Sequence, residues 1–241
     1  VLDLSSGSRL IVAMSYSLKA ESVVYVVDDD ADIRDGLMVL LESVGLTCVC
    51  FSSTKEFLQS HQSGGPNCLI LDVRLPGIGG LDLQDELTKA RIKTPIIFIT
   101  GHGDIPMSVR AMKAGAIEFL TKPFREQDIL DAVQIALERD RVQRGKDQDL
   151  QDLTARFETL SEREREVMKF VIAGFLNKQT AAQMGVSEVT VKVHRHNIMM
   201  KLGAKSLPDL VRMADMLGVR HLEMSAAAEA EMGERKLRSK K

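Results

Sequence analysis

The chain is short of cysteine, of long apolar runs and of net charge, and each shortage removes a class of function. It has 241 residues but three cysteines, Cys48, Cys50 and Cys68. An odd count without paired spacing argues against a disulfide framework or a zinc site, and thiols inside strand-like segments read as buried, reduced core residues of a cytosolic protein. No apolar run approaches the ~20 residues that span a bilayer. Residues 10–14 are too few for a signal-peptide core. The expected location is the cytoplasm, with no membrane partner. A net charge of -2 excludes a bulk polycation. No Gly-x-Gly-x-x-Gly follows the first apolar run, which leaves dinucleotide binding weak.

The charge that is present is unevenly placed. Residues 21–125 carry ten Lys/Arg and fourteen Asp/Glu, net -4; residues 160–222 carry ten and six, net +4. An acidic half joined to a basic half points to a phosphate- or metal-handling module tethered to a nucleic-acid binder.

Apolar runs alternate with helical patterns from Ser22 onward. Strands are expected at 23–27, 47–51, 68–71, 95–100 and 116–120, with helices at 31–44, 54–61, 81–89 and 106–114 and a long one from 126. Five such units predict a doubly wound (βα)5 parallel sheet. Residues 139–159 are highly charged and read as a helical linker. Ser161 and Glu164 form a capping box that opens a second, all-α domain. Helices at 177–184 and 188–202 flank the turn Gly185-Val186-Ser187, a helix-turn-helix arrangement, and a fourth spans 207–217. The expected organisation is a leader at 1–21 without fixed structure, an α/β domain at 22–138, the linker, a four-helix domain at 160–222 and a flexible tail at 223–241.

Three signals follow the first, third and fifth expected strands: Asp28-Asp29-Asp30, Asp72, and Lys122-Pro123. In a parallel sheet the ligand crevice lies beyond the carboxyl ends of the strands. Carboxylates of Asp28, Asp29 and Asp72 would meet the Lys122 ammonium there. Mg²⁺ needs hard oxygen ligands and few of them, so this is an expected Mg²⁺ and phosphoryl site. Asp72 would act as nucleophile without a general base, Lys122 would hold a phosphate oxygen, and Thr100 offers a hydroxyl donor. Singly, each signal is more often a cap, a turn residue or a loop. Their combination at strand ends in this order is not.

Residues 22–125 resemble the receiver domain of two-component response regulators. The FixJ type is the nearest pattern, through Ile99-Thr100-Gly101-His102-Gly103-Asp104 and Ala111-Met112-Lys113-Ala114-Gly115-Ala116. The resemblance implies that Asp72 accepts a phosphoryl group from a sensor histidine kinase. It implies Mg²⁺ held by Asp29 and Asp72, by Asp28 through water, and by the Arg74 carbonyl. Thr100 and Phe119 match the family's switch pair, Lys122 its phosphate-binding lysine, and the bond before Pro123 is expected to be cis. Phosphorylation would draw Thr100 inward and let Phe119 rotate, changing the face of the 106–114 helix. Val109 and Lys113, four apart on that helix, are the expected homodimer contact.

On the helix at 188–202, Val191, Ile198 and Leu202 share one face, assigned to the core. Lys192 can address guanine and Val193 a thymine methyl, with His196 a weaker base contact. Lys178, Thr190, Arg195 and Lys201 are candidate phosphate contacts; His194 reads as structural. Residues 160–217 resemble the LuxR-type helix-turn-helix of FixJ/NarL regulators, through Leu160-Ser161-Glu162-Arg163-Glu164, Asn177-Lys178 and Thr190-Val191-Lys192-Val193-His194-Arg195. That implies binding to promoter double-stranded DNA as a dimer, with RNA polymerase a partner and activation the commoner outcome. A phosphatase of the haloacid-dehalogenase type is the competing reading; it wants a second Asp two residues after the nucleophile, where this chain has Arg74. The expected protein is a transcription regulator and not an enzyme.

Overall fold

Five strands pair in parallel, and the three inner ones are covered on both faces. The computed structural model describes residues 22–60, 64–101 and 105–219. The expected leader and tail lie outside these residues, as do His102, Gly103 and Asp104. The strands are β1 (Val23–Val27), β2 (Thr47–Phe51), β3 (Asn67–Asp72), β4 (Ile96–Thr100) and β5 (Glu118–Thr121), in the order β2-β1-β3-β4-β5. Every residue of β1, β3 and β4 is buried, as a sheet covered on both faces requires.

The helices of this unit are α1 (Ala31–Ser43), α2 (Thr54–Gln59), α3 (Gly80–Lys89), α4 (Ile105–Lys113) and the start of α5 (Glu126–Glu158). Tyr25, Val27, Leu69, Leu71 and Phe98 form one core with Phe57, Leu83, Leu87 and Ala111. Val24, Val26, Ile70, Ile97 and Ile99 form the other with Leu37, Leu41, Ile129 and Val133. The strand order reverses between β1 and β3, so their carboxyl ends flank the crevice where such folds bind ligands.

Several boundaries differ from expectation. β3 gains a residue at each end, so Asp72 closes the strand instead of following it. The α2 helix stops at Gln59, where Ser60 turns extended and its hydroxyl donates to the Phe57 carbonyl. The expected burial of all three thiols needs correction. Cys68 is buried in β3, but Cys48 and Cys50 are half-exposed because β2 is an edge strand.

The chain divides into two compact units at Gly145–Lys146, within the span of α5. In the second unit, Leu153 and Leu160 join a core with residues of α6 (Glu162–Ile172), α7 (Asn177–Met184), α8 (Glu188–Leu202) and α9 (Leu207–Met216). The capping box at Ser161 and Glu164 is present. Val191, Ile198 and Leu202 are buried, as the helical spacing predicts. Gly185 ends α7 with φ 66°, the left-handed conformation a tight turn into α8 needs.

Candidate functional site

Asp28 and Asp72 are placed by adjacent strands in register, β1 and β3, and both are buried. Asp28 Oδ1 accepts from the Asp30 amide at 2.9 Å, and Asp72 Oδ1 accepts from the Arg74 amide at 2.9 Å. The Lys122 ammonium donates to Asp28 Oδ2 at 2.6 Å and to Asp72 Oδ2 at 2.7 Å. A cis Lys122-Pro123 bond follows β5, and the Lys122 amide donates to the Thr100 carbonyl at 2.7 Å. Asp29 is exposed, yet it, Asp28 and Asp72 each bring an oxygen within 4.8 Å of the others.

Burial pushes the Asp28 carboxyl above the ordinary carboxylate range, against the pull of its hydrogen bond from Lys122. Burial would likewise lower the Lys122 ammonium, but hydrogen bonds to Asp28 and Asp72 and their charges outweigh it and leave it raised. Three carboxylates and one ammonium sum to two negative charges. That donor set, all hard oxygens, fits a divalent cation such as Mg²⁺, which takes one or two carboxylates and keeps room for a phosphate.

Thr100 ends β4 and is buried; Phe119 on β5 is half-buried, its ring 6.3 Å from that of Phe98. Arg74 is exposed. Two contributors escape sequence reasoning. Arg34 on α1 donates to the Asp28 carbonyl at 2.7 Å. Gly80 opens α3 so close to β3 that a Cβ there would overlap the Asp72 carbonyl oxygen. Asp30, third in the acidic triplet, accepts from the Asp32 and Ile33 amides as the N-cap of α1.

On α4, Val109 and Lys113 are both exposed. Ile105, 79% exposed, and Met112 extend the apolar stripe around Val109 at helical spacing. Neither is among the expected contacts, although the i, i+4, i+7 pattern carries both.

In the second unit the expected DNA contacts separate into two sets. Lys178, Lys192, Val193 and His196 are exposed. Lys192 also lies 3.5 Å from Glu188 one turn earlier. Thr190 is engaged with Ser187, the N-cap of α8, through both its amide and its hydroxyl. Arg195 donates to Asn177 Oδ1 at 3.0 Å. Lys201, expected on phosphate, instead donates to Glu164 Oε2 at 2.7 Å and to the Thr159 carbonyl. Burial would raise the Glu164 carboxyl, but the Lys201 ammonium and the Ser161 amide and hydroxyl hold it down to about 2. Val189, 69% exposed and one turn before Val193, is a further outward apolar residue on α8.

Comparison with known proteins agrees with this division. Residues 24–134 match the response regulator receiver domain, and residues 158–214 match the luxR family of bacterial regulatory proteins. Nodulation protein W of Bradyrhizobium diazoefficiens is 54% identical over 83% of this chain and 88% of its own length. The transcriptional regulatory protein FixJ of Azorhizobium caulinodans is 42% identical over 81% and 93%. The solved structure of the response regulator StyR superimposes with a TM-score of 0.74 at 47% identity, covering 81% of this chain and 99% of that one. The family these matches show is one of transcriptional response regulators and not of catalytic enzymes. Among the described residues no helix is long and apolar enough to cross a membrane. The chain belongs to the two-component response regulators that join a receiver domain to a LuxR-type DNA-binding domain.

Proposed function

We propose that Asp72 accepts a phosphoryl group from a sensor histidine kinase and that this controls binding to promoter DNA. The observation that carries the reading is the Lys122 ammonium bridging Asp28 and Asp72, beside three carboxylate oxygens within 4.8 Å of one another. Asp72 Oδ attacks phosphorus, the bond to the donor's nitrogen breaks, and its electron pair leaves with the histidine ring. Asp28, Asp29, Asp72 and the Arg74 carbonyl would hold Mg²⁺, which when bound neutralises charge on the transferring oxygens. Lys122 orients a phosphate oxygen, and the Thr100 hydroxyl turns to donate to another.

The displacement of Thr100 lets the Phe119 ring rotate and re-forms the α4–β5 face. Val109 and Lys113, with Ile105 and Met112 beside them, then pair with a second copy. The dimer presents two α8 helices to successive major grooves. Lys192, Val193 and His196 read bases there, while Lys178, Thr190 and Arg195 face phosphates. Phosphorylation raises the population of the DNA-binding dimer, and by linkage operator DNA favours the phosphorylated form. The bound dimer, in the cytoplasm, recruits RNA polymerase and activates transcription.

The test is incubation with acetyl phosphate and Mg²⁺. One acid-resistant, base-labile phosphate per chain, absent from Asp72→Asn, is expected. Equal labelling of that variant refutes the assignment. A Val109→Asp variant that is labelled normally yet still dimerises would refute the α4 contact alone.

A further inference from the structure

Cys48 and Cys50 lie two apart on β2, so both side chains point to the same side of the sheet. Their sulfurs are 3.7 Å apart, and both residues are half-exposed at the sheet edge. The pair sits against α1, where the Cys50 thiol approaches the Arg34 carbonyl at 3.8 Å. We propose that these two thiols form a chelating site for a soft divalent cation of the zinc and cadmium class.

Geometry selects a bridging ion over a direct S–S bond. Cys48 and Cys50 pair in regular register with Val24 and Val26, so β2 has no bulge there. Residues i and i+2 of an extended strand are about 6.6 Å apart, whereas an unstrained disulfide wants its Cβ atoms at about 3.5–4.5 Å. A disulfide would therefore have to buckle the strand. A thiolate-bound zinc sits about 2.3 Å from each sulfur, and a 3.7 Å separation then subtends about 107° at the metal, close to tetrahedral. Thiolate donors also suit this class of ion better than Mg²⁺.

The two thiols share a proton. The hydrogen bond between them, with the Arg34 charge nearby, lowers the Cys50 thiol, while the same bond and burial raise the Cys48 thiol, so a bound ion has to displace that shared proton. Cys68 is not a third ligand. It lies in register with Val24 on the far side from Cys48, about 9.6 Å across two strand spacings, and is buried. The site is thus two-coordinate from this chain, completed by water or a small thiol. Loading forms two metal–sulfur bonds, displaces two waters from the hydrated ion and releases the remaining thiol protons to solvent; no electron is transferred.

The experiment titrates cadmium alone into the full, reduced chain, with Mg²⁺ in excess to occupy the carboxylates. One equivalent should produce an ultraviolet thiolate-to-metal charge-transfer band. Two of the three thiols should lose reactivity toward a disulfide reagent and regain it with a chelator. Cys68→Ser should keep the band; Cys48→Ser and Cys50→Ser should each lose it. Absence of the band in the wild type, or its survival in both the Cys48 and Cys50 variants, overturns the proposal. Should the variants fail to fold, the wild-type thiol count decides: no protected thiol refutes the site and two protected thiols support it.

Discussion

Lys201→Gln separates two roles for one cation, scaffold and DNA contact. Its ammonium donates to the buried Glu164 carboxylate, which also accepts from the Ser161 amide and so closes the capping box of α6. An ordinary Glu titrates at about 4.3 and Glu164 at about 2, so its ionised form contributes on the order of 3 kcal/mol at neutral pH. That sum includes the Ser161 bonds, and the Lys201 side chain is 38% exposed, so solvent screening trims its share to about 1 kcal/mol. The sign is that of a depressed acid. The stabilisation is full above about pH 4.3 and is lost as pH falls toward about 2; removing Lys201 moves that loss to higher pH. Hydrogen exchange of the full chain at pH 7 should show the α6 amides exchanging roughly fivefold to tenfold faster in the variant. Binding to operator DNA should keep its salt dependence. A phosphate contact would instead lower the slope of log affinity against log salt by about 0.9. A slope reduced by that amount, with unchanged exchange, would refute the scaffold role.

Three further outcomes follow from the geometry. Lys122→Met leaves buried Asp28 without its cation; labelling by acetyl phosphate should slow on the order of 10²-fold, the cost of one preorganised donor, and an unchanged rate would show that Lys122 orients nothing. Gly80→Val should destabilise the receiver by about 1–3 kcal/mol in urea unfolding, because the new side chain overlaps the Asp72 carbonyl and α3 must shift; an unchanged midpoint would contradict the close approach. Arg110→Ala removes exposed ion pairs to Asp85 and Asp82 and should leave the unfolding midpoint almost unmoved.

The strands of the sheet interior were legible because burial on both faces leaves continuous apolar runs in β1, β3 and β4. The acidic pocket was legible for a related reason: strands in parallel register bring whatever follows them to one edge. Partners far apart in sequence were not. Nothing near Lys201 announces Glu164, which lies 37 positions earlier, and the charge pattern of α8 alone made a phosphate contact the natural expectation. Arg34 is only six residues from Asp28, but it reaches that carbonyl through the turn from β1 into α1, which periodicity does not encode. The exposure of β2 depends on strand order, and order is a tertiary fact. The Cys48–Cys50 pairing is different. Period-2 alternation puts both thiols on one face, so the sequence carried that information although an odd cysteine count obscured it.

The charge balance of the pocket explains why a single esterification would reorganise its surroundings. Lys122 touches both Asp28 and Asp72, so one ammonium serves two carboxylates, and with Asp29 the cluster sums to two negative charges, the complement of one divalent ion. In the proposed scheme Asp72 exchanges one negative charge for about 1.5 to 2 and gains three acceptor oxygens. Asp28 cannot respond by moving into water, because it is fully buried and fixed by the Asp30 amide. The new oxygens must therefore find donors among the groups at neighbouring strand ends, and Thr100 closes the next strand one residue past Ile99, which pairs with Asp72. Its hydroxyl is the neutral donor able to turn without exposing a charge. Phe119 on the following strand pairs with Phe98, two residues before Thr100 and so on the same side of the sheet, and in the proposed scheme its ring answers that turn. The coupling from phosphate to the α4 surface thus needs no long chain of contacts. It needs one unbalanced charge in a pocket whose other members are already held.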